Sequence, residues 1–174
     1  MPVTYNKQRV PSITEVYKSL VESEVHLRGW NFPHFDKDTK TNFSHGRQSH
    51  TDFMHHTEAH RAYQSGLFVW RGQYWENSDN FTKQHGKSLS FVNVIYTVTE
   101  FLLFLKRYYE RIAPDASIRF SIGMTDIKER ALEATDWNSI PFTGNYTAKD
   151  SSLEIDREYS VPELRATAEE IAIM

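Results

Sequence analysis

The sequence predicts an α+β fold, with an antiparallel sheet packed against a long central helix and shorter helices on its flanks. Three observations predict it. One stretch, Ser88 to Ile112, keeps helical character throughout. Several short aromatic-rich runs are bounded by Gly, Pro, Asn, Asp and Ser. No repeat, low-complexity tract or composition shift separates the two kinds of segment, which is the pattern of mixed helices and antiparallel-type strands. With 174 residues the chain suits one domain, 1–174, with residues 1–11 as an N-terminal arm.

The elements follow in order. SITEVYKSLVES opens with Ser12 three residues before Glu15, a capping box, and Ile13, Val16, Tyr17, Leu20 and Val21 then recur at helical spacing. In VHLRGWNFPHF, Gly29 and Pro33 break any helix and the aromatics suit an extended segment. Residues 36–48 read as a polar loop. A second helix is expected from Ser49, with Asp52 at capping-box spacing, to a stop at Gly66. LFVWRGQYW reads as a strand with Phe68, Trp70, Gly72 and Tyr74 on its core side, and ENSDN as a turn.

The long helix ends in Lys106, Arg107 and Arg111, cations that complement its dipole, and Pro114 follows. Its first half is rich in β-branched residues and would also suit a strand. SIRFSIGM is the next strand, and KERALEA fits either class. YTAKD and LEIDREY are expected to pair about a turn at Ser151 and Ser152. SVPELRATAEEIAIM, with Ser160 three residues before Glu163, forms a short last helix.

Composition excludes several functions. The net charge of −3 gives no global basic field for nucleic acid, and 14% aromatics argues for an ordered chain. The absence of cysteine removes disulfides, thiolate nucleophiles, iron–sulfur clusters and cysteine-based zinc sites. MPVTYNKQRVPS lacks the apolar core of a signal peptide. LSFVNVIYTVTEFLLFL carries Asn93 and Glu100 and is shorter than the roughly 20 residues of a membrane span, so it reads as a buried core helix. A cytoplasmic location without membrane contact is expected.

Four of the eight histidines fall in SHTDFMHHTEAHRAYQSG. On a helix Asp52, His56 and His60 form one stripe, a set that would bind a divalent metal in a hydrolase. The metalloprotease spacings place Glu beside a His, whereas Glu58 sits midway between His56 and His60 and would project from the opposite side. The same arc holds Phe53, Ala59 and Tyr63, so packing is the competing use of these rings, with acid–base work a third. His45, His50 and His55 read as loop or surface residues. FSHGRQSH has no P-loop spacing and no G-x-S-x-G occurs, so no catalytic residue and no cofactor is expected.

Aromatic and basic residues interleave elsewhere. Trp30, Phe32, Tyr63, Trp70, Arg71 and Trp75 are the types that anchor interfaces, and are the expected contact residues or their support. Arg28, Arg47, Arg61 and Arg71, beside the tryptophans, would serve a nucleic-acid-binding module instead.

Four fragments carry a resemblance: LRGWNFPHFD at 27–36, EAHRAYQSGLFVW at 58–70, SIRFSIGMTDIKERAL at 117–132, and the closing SVPELRATAEEIAI. Together they resemble a domain of bacterial proteins that lies C-terminal to Schlafen-like (AlbA-type) ATP- or DNA-binding domains, the R-G-W-x-F-P-H and Y-Q-S-G-x-F-V pieces most of all. The resemblance brings no catalytic residues. The family pattern favours an aromatic where this chain has His60, which would make His60 a substitute for a large flat ring. It implies an accessory or sensor subunit of a bacterial antiphage defence complex. Such a subunit would bridge an ATPase, SMC-like as in the Lamassu type of system, and an effector nuclease on other polypeptides, with nucleic acid reached through the complex. Fold-level analogy does not by itself fix function.

Overall fold

A computed structural model describes residues 8–35, 40–53, 56–77, 87–134 and 146–164. The first helix, α1 (Ile13–Val21), starts where its capping box places it: the Glu15 amide donates to Ser12 Oγ at 3.1 Å, and Val16 and Leu20 are buried. Part of the expected N-terminal arm is docked, because the amides of Arg9 and Val10 both donate to the Gln64 carbonyl and Val10 is buried. After α1 the chain turns back at Gly29, and Val25 bridges Phe32 in antiparallel fashion. The Phe32–Pro33 peptide is cis.

Four strands then form an antiparallel meander in the order β1 (Thr41–Phe43), β2 (Gly46–Phe53), β3 (His56–Tyr63) and β4 (Phe68–Gly72). Two sequence expectations are corrected here. The residues read as a loop at 36–48 contribute β1 and the start of β2; 36–39 lie outside the described residues. The helix expected from Ser49 to Gly66 is a hairpin of β2 and β3, registered Ser49 opposite His60 and Phe53 opposite His56. The reason lies in the core side of β3, where Glu58, His60 and Ala62 are buried at period two while Arg61 is exposed. Gly66 follows at φ +85°, a conformation that favours glycine, and its amide closes a turn onto the Tyr63 carbonyl.

Beyond a 3₁₀ turn at Trp75–Asn77 come β5 (Ser88–Ser90), α2 (Phe91–Ile112), β6 (Ser117–Thr125), β7 (Ala131–Glu133) and β8 (Ser152–Ser160). The long helix begins three residues later than its sequence suggests, because Ser90 caps it by accepting from the Asn93 amide and Ser88–Ser90 pair in parallel with β7. The expected YTAKD–LEIDREY pair is also corrected. LEIDREY is the body of β8, which pairs antiparallel with β6, and Thr147 makes an isolated bridge to Ala131 instead. Residues 161–164 are helical, with the reciprocal Ser160–Glu163 bonds of a capping box; the rest of the last helix lies outside the described residues.

The core lies between α2 and the sheet. Glu100, Phe104, Leu105, Tyr108 and Tyr109 are the buried positions of α2, one face at helical spacing. Phe68 of β4 packs on Phe104 with ring centroids 4.6 Å apart, and Phe32 packs on Phe101, Phe104 and Trp70. Full burial of a side chain like Phe104 contributes about 1.5–3 kcal/mol, and the aromatic cluster shares the core with buried aliphatic residues such as Val16, Leu20, Leu105, Ile118 and Leu164. The fold is α+β, an antiparallel sheet against one long helix, as the sequence predicts. Among the described residues no helix is long and apolar enough to cross a membrane.

Candidate functional site: an aromatic cleft

A cleft of about 740 Å³ opens beside β4. Its walls are the 28–34 segment, His50 of β2 and Thr57–Ala59 of β3, the chain from Trp70 to Asn77, the first half of α2 and the far end of β6 with Asp126. Fold elements distant in sequence set each wall. Trp30 is held over Trp75, ring centroids 5.7 Å apart, and stacks on His34. Phe32 holds Trp70 at 5.5 Å. The Trp70 ring lies back over Gly72, where a Cβ would come within 2.4 Å of it, so glycine at 72 is what lets the ring lie along its own strand.

The charges of the floor are neutralised in place. Arg28 grips Glu100 with two donors, Nε at 3.1 Å from Oε1 and Nη2 on Oε2, and Nη2 also reaches Thr97 Oγ1 at 3.2 Å. Glu100 is fully buried, and a buried carboxylate requires such a partner. The Arg28 guanidinium also lies 5.1 Å from the Trp30 ring centre. Glu58, likewise buried, accepts from the His34 amide at 2.8 Å, and its second oxygen lies 2.9 Å from His34 Nδ1. Glu76 accepts from the Ser90 amide and the Asn93 side chain, which fixes the 3₁₀ turn to the start of α2. At the lower end Arg130 binds Asp126, Asn77 and the Ser88 carbonyl, and packs on Tyr74. Burial raises the Tyr74 phenol pKa, and its hydroxyl donates to the Thr125 carbonyl.

Five of the six residues expected to make contacts, Trp30, Phe32, Trp70, Arg71 and Trp75, converge on this cleft. Tyr63 does not; its ring packs on Phe43 at 5.1 Å. The four arginines of the nucleic-acid expectation do not form one surface. Arg28 is paired in the floor, Arg47 stacks on Tyr17 of α1, and Arg61 and Arg71 are exposed on the opposite side of the sheet from the core.

The metal expectation meets a geometric obstacle. Asp52 is exposed opposite Thr57, on the sheet face away from that of His60, which is buried. His56 stands opposite Phe53 at the hairpin end. Among the described residues no group of three or more His, Cys, Asp or Glu is placed to hold a metal ion. His60 packs between Phe35 at 4.9 Å and Phe68 at 6.0 Å, and neither ring nitrogen has a hydrogen-bond partner among the described residues. Burial lowers its pKa to about 4, against an opposing pull from Glu58, so the ring is neutral at pH 7. It fills an aromatic slot.

Sequence reasoning missed Glu58, His34, Glu76 and the Arg28–Glu100 pair. One signal was available: a lone acid inside the apolar run of α2 needs a buried cation, and Arg28 stands among aromatics. No family model, curated protein or solved structure matches the chain.

Proposed function

We propose that this chain is a non-catalytic recognition subunit that engages a protein partner through the aromatic cleft. The observation that carries the reading is the convergence of the half-buried Trp30, Trp70 and Trp75 on one cleft, with Phe32 buried behind them and Arg71 at the rim on the other face of β4. Aromatics and arginine in a concave, water-excluding setting are the residues that anchor interfaces. The floor supports the same reading, since Arg28 and Glu58 are already committed to Glu100 and His34. What remains at the surface is the half-buried rings of Trp30, Trp70 and Trp75, with Arg71, Gln73 and Asp126 as exposed polar groups around them. Both oxygens of Glu58 face His34, a use that fixes the 32–35 segment over β3 rather than one that activates a nucleophile.

The finer role is an accessory or sensor subunit of a bacterial antiphage assembly, beside an ATPase and an effector nuclease. That placement rests on the resemblance of the four sequence fragments alone. Co-expression with the products of neighbouring genes, followed by purification through a tag on this chain, tests it. Co-elution with an ATPase or nuclease subunit is expected, lost on Trp30→Ala and Trp75→Ala while the circular dichroism of the chain is retained. A chain that stays monomeric and retains none of them overturns the reading.

A further inference from the structure

We infer that the cleft accepts an extended polypeptide segment, added as a strand to the free edge of β4, with side chains alternately apolar and acidic. The inference rests on the recognition reading above and names the occupant of the same cleft.

The backbone is the first ground. Among the described residues β4 pairs only with β3, and β6 pairs only with β8. Both strands border the cleft through consecutive residues, 70–72 on one wall and 121–125 on the other. Thr57–Ala59 of β3, a strand paired on both sides, border the space as well, so the open edge of β4 is read from its pairing, which leaves its second side without a strand among the described residues. A free edge is a template for another chain unless charge, proline or a bulge protects it. FVWRG of β4 has no proline, and its one charge is Arg71. Five residues of β4 would match a segment about 17 Å long. Strand addition to such an edge takes its affinity from main-chain hydrogen bonds and its specificity from alternate side chains.

Side chains set the chemistry. On the core side the incoming strand would lie between Trp70 and the half-buried Ile122 and Met124, which calls for apolar residues. On the other side it would meet exposed Val69 and Arg71, and Arg71 makes no ion pair with the described residues. That side calls for acidic residues. The opposite edge of β6 already holds a strand of this composition. In β8, Leu153 and Ile155 stand opposite Met124 and Ile122, while Glu154 and Asp156 stand opposite Gly123 and Ser121. Glu154 accepts from Ser121 Oγ at 3.1 Å, and Asp156 lies 3.7 Å from Arg119.

The test uses the full chain and three capped heptapeptides: alternating Val and Glu, the same peptide N-methylated at alternate amides along one edge, and alternating Val and Lys. Binding is read by tryptophan fluorescence and by amide exchange of residues 68–72. The Val–Glu peptide is expected to shift the emission and to slow exchange at alternate β4 amides by roughly tenfold or more. Methylation and the lysine exchange should abolish both effects. Arg71→Ala should weaken binding by about tenfold with β2–β3 exchange unchanged. Failure of the Val–Glu peptide to bind, or binding that survives methylation, overturns strand addition. A co-purifying partner that protects Trp30 and Trp75 but leaves the β4 amides exchanging freely overturns it while leaving the recognition reading intact. Absence of any partner removes the recognition reading itself.

Discussion

His60→Phe separates the two uses that a buried imidazole can have. The ring is 3% exposed, lies between Phe35 and Phe68, and has neither nitrogen paired among the described residues. Burial holds its pKa at about 4 instead of 6.5. The unfolded chain therefore takes up a proton at His60 below pH 6.5, while the folded chain does so only below about 4. Between those values the unfolded state binds more protons, so stability falls as the pH falls. The contribution is complete above pH 6.5 and has gone by about pH 4. At 1.36 kcal/mol per pH unit, the window is worth about 3 kcal/mol.

Phenylalanine carries no proton, so the variant lacks this loss. Urea unfolding followed by tryptophan fluorescence at pH 4, 5, 6 and 7 measures it, and carboxylate contributions common to both proteins cancel in the difference. At pH 7 the variant should lie within about 1 kcal/mol of the parent or above it, because losing unpaired nitrogens offsets the larger ring. At pH 4 it should be more stable by about 3 kcal/mol beyond that offset. A difference that stays flat across the range would mean that the folded protein keeps the imidazole solvated or paired, and would refute the packing argument.

Three further outcomes follow from buried polar groups and close contacts. Arg28→Met leaves Glu100 buried without its cation and should cost about 3–5 kcal/mol, lowering the melting temperature by roughly 6–20 °C; adding Glu100→Met should restore most of it, and a double variant no better than the single one would exclude a structural ion pair. Tyr108→Phe should leave stability unchanged or raise it by up to about 1 kcal/mol, because the Tyr108 hydroxyl is buried without a partner among the described residues, while Tyr109→Phe should cost about 1–2 kcal/mol by removing the donor to the Gly66 carbonyl. Equal costs in chemical denaturation would contradict the hydrogen-bond assignment. Gly72→Ala drives a methyl group into the Trp70 ring and should cost about 1–3 kcal/mol, with tryptophan emission shifted to the red; unchanged melting and emission would show that the ring does not lie there.

The elements legible in the sequence are those whose signals are local. Ser12 and Ser160 cap where their spacing to Glu15 and Glu163 places them. Of the expected strand LFVWRGQYW, FVWRG forms β4, with Phe68 buried and Val69 exposed as alternation requires, whereas the strand ends at Gly72 and Trp75 opens a 3₁₀ turn. Partners are not local. Glu100 lies 72 positions from Arg28, and Glu58 lies 24 from His34, so nothing short of the fold joins them. The pairing of LEIDREY was misread for the same reason, since YTAKD is its neighbour in sequence but β6 presents the matching row of Ile118, Phe120, Ile122 and Met124.

The hairpin of β2 and β3 was illegible for a different reason: its core side is polar. Glu58, His60 and Ala62 give no apolar alternation, so Phe53, Ala59 and Tyr63 make the helical period look better than the strand period. What makes such a row acceptable inside is the segment laid over it. His34 answers Glu58 at one position, and Phe35 covers His60 two residues further along β3. The same clasp holds the backbone that carries Trp30 and Phe32 into the cleft. Of the three residues that argued for a metal on a helix, His60 thus acts as part of the seat of an aromatic wall.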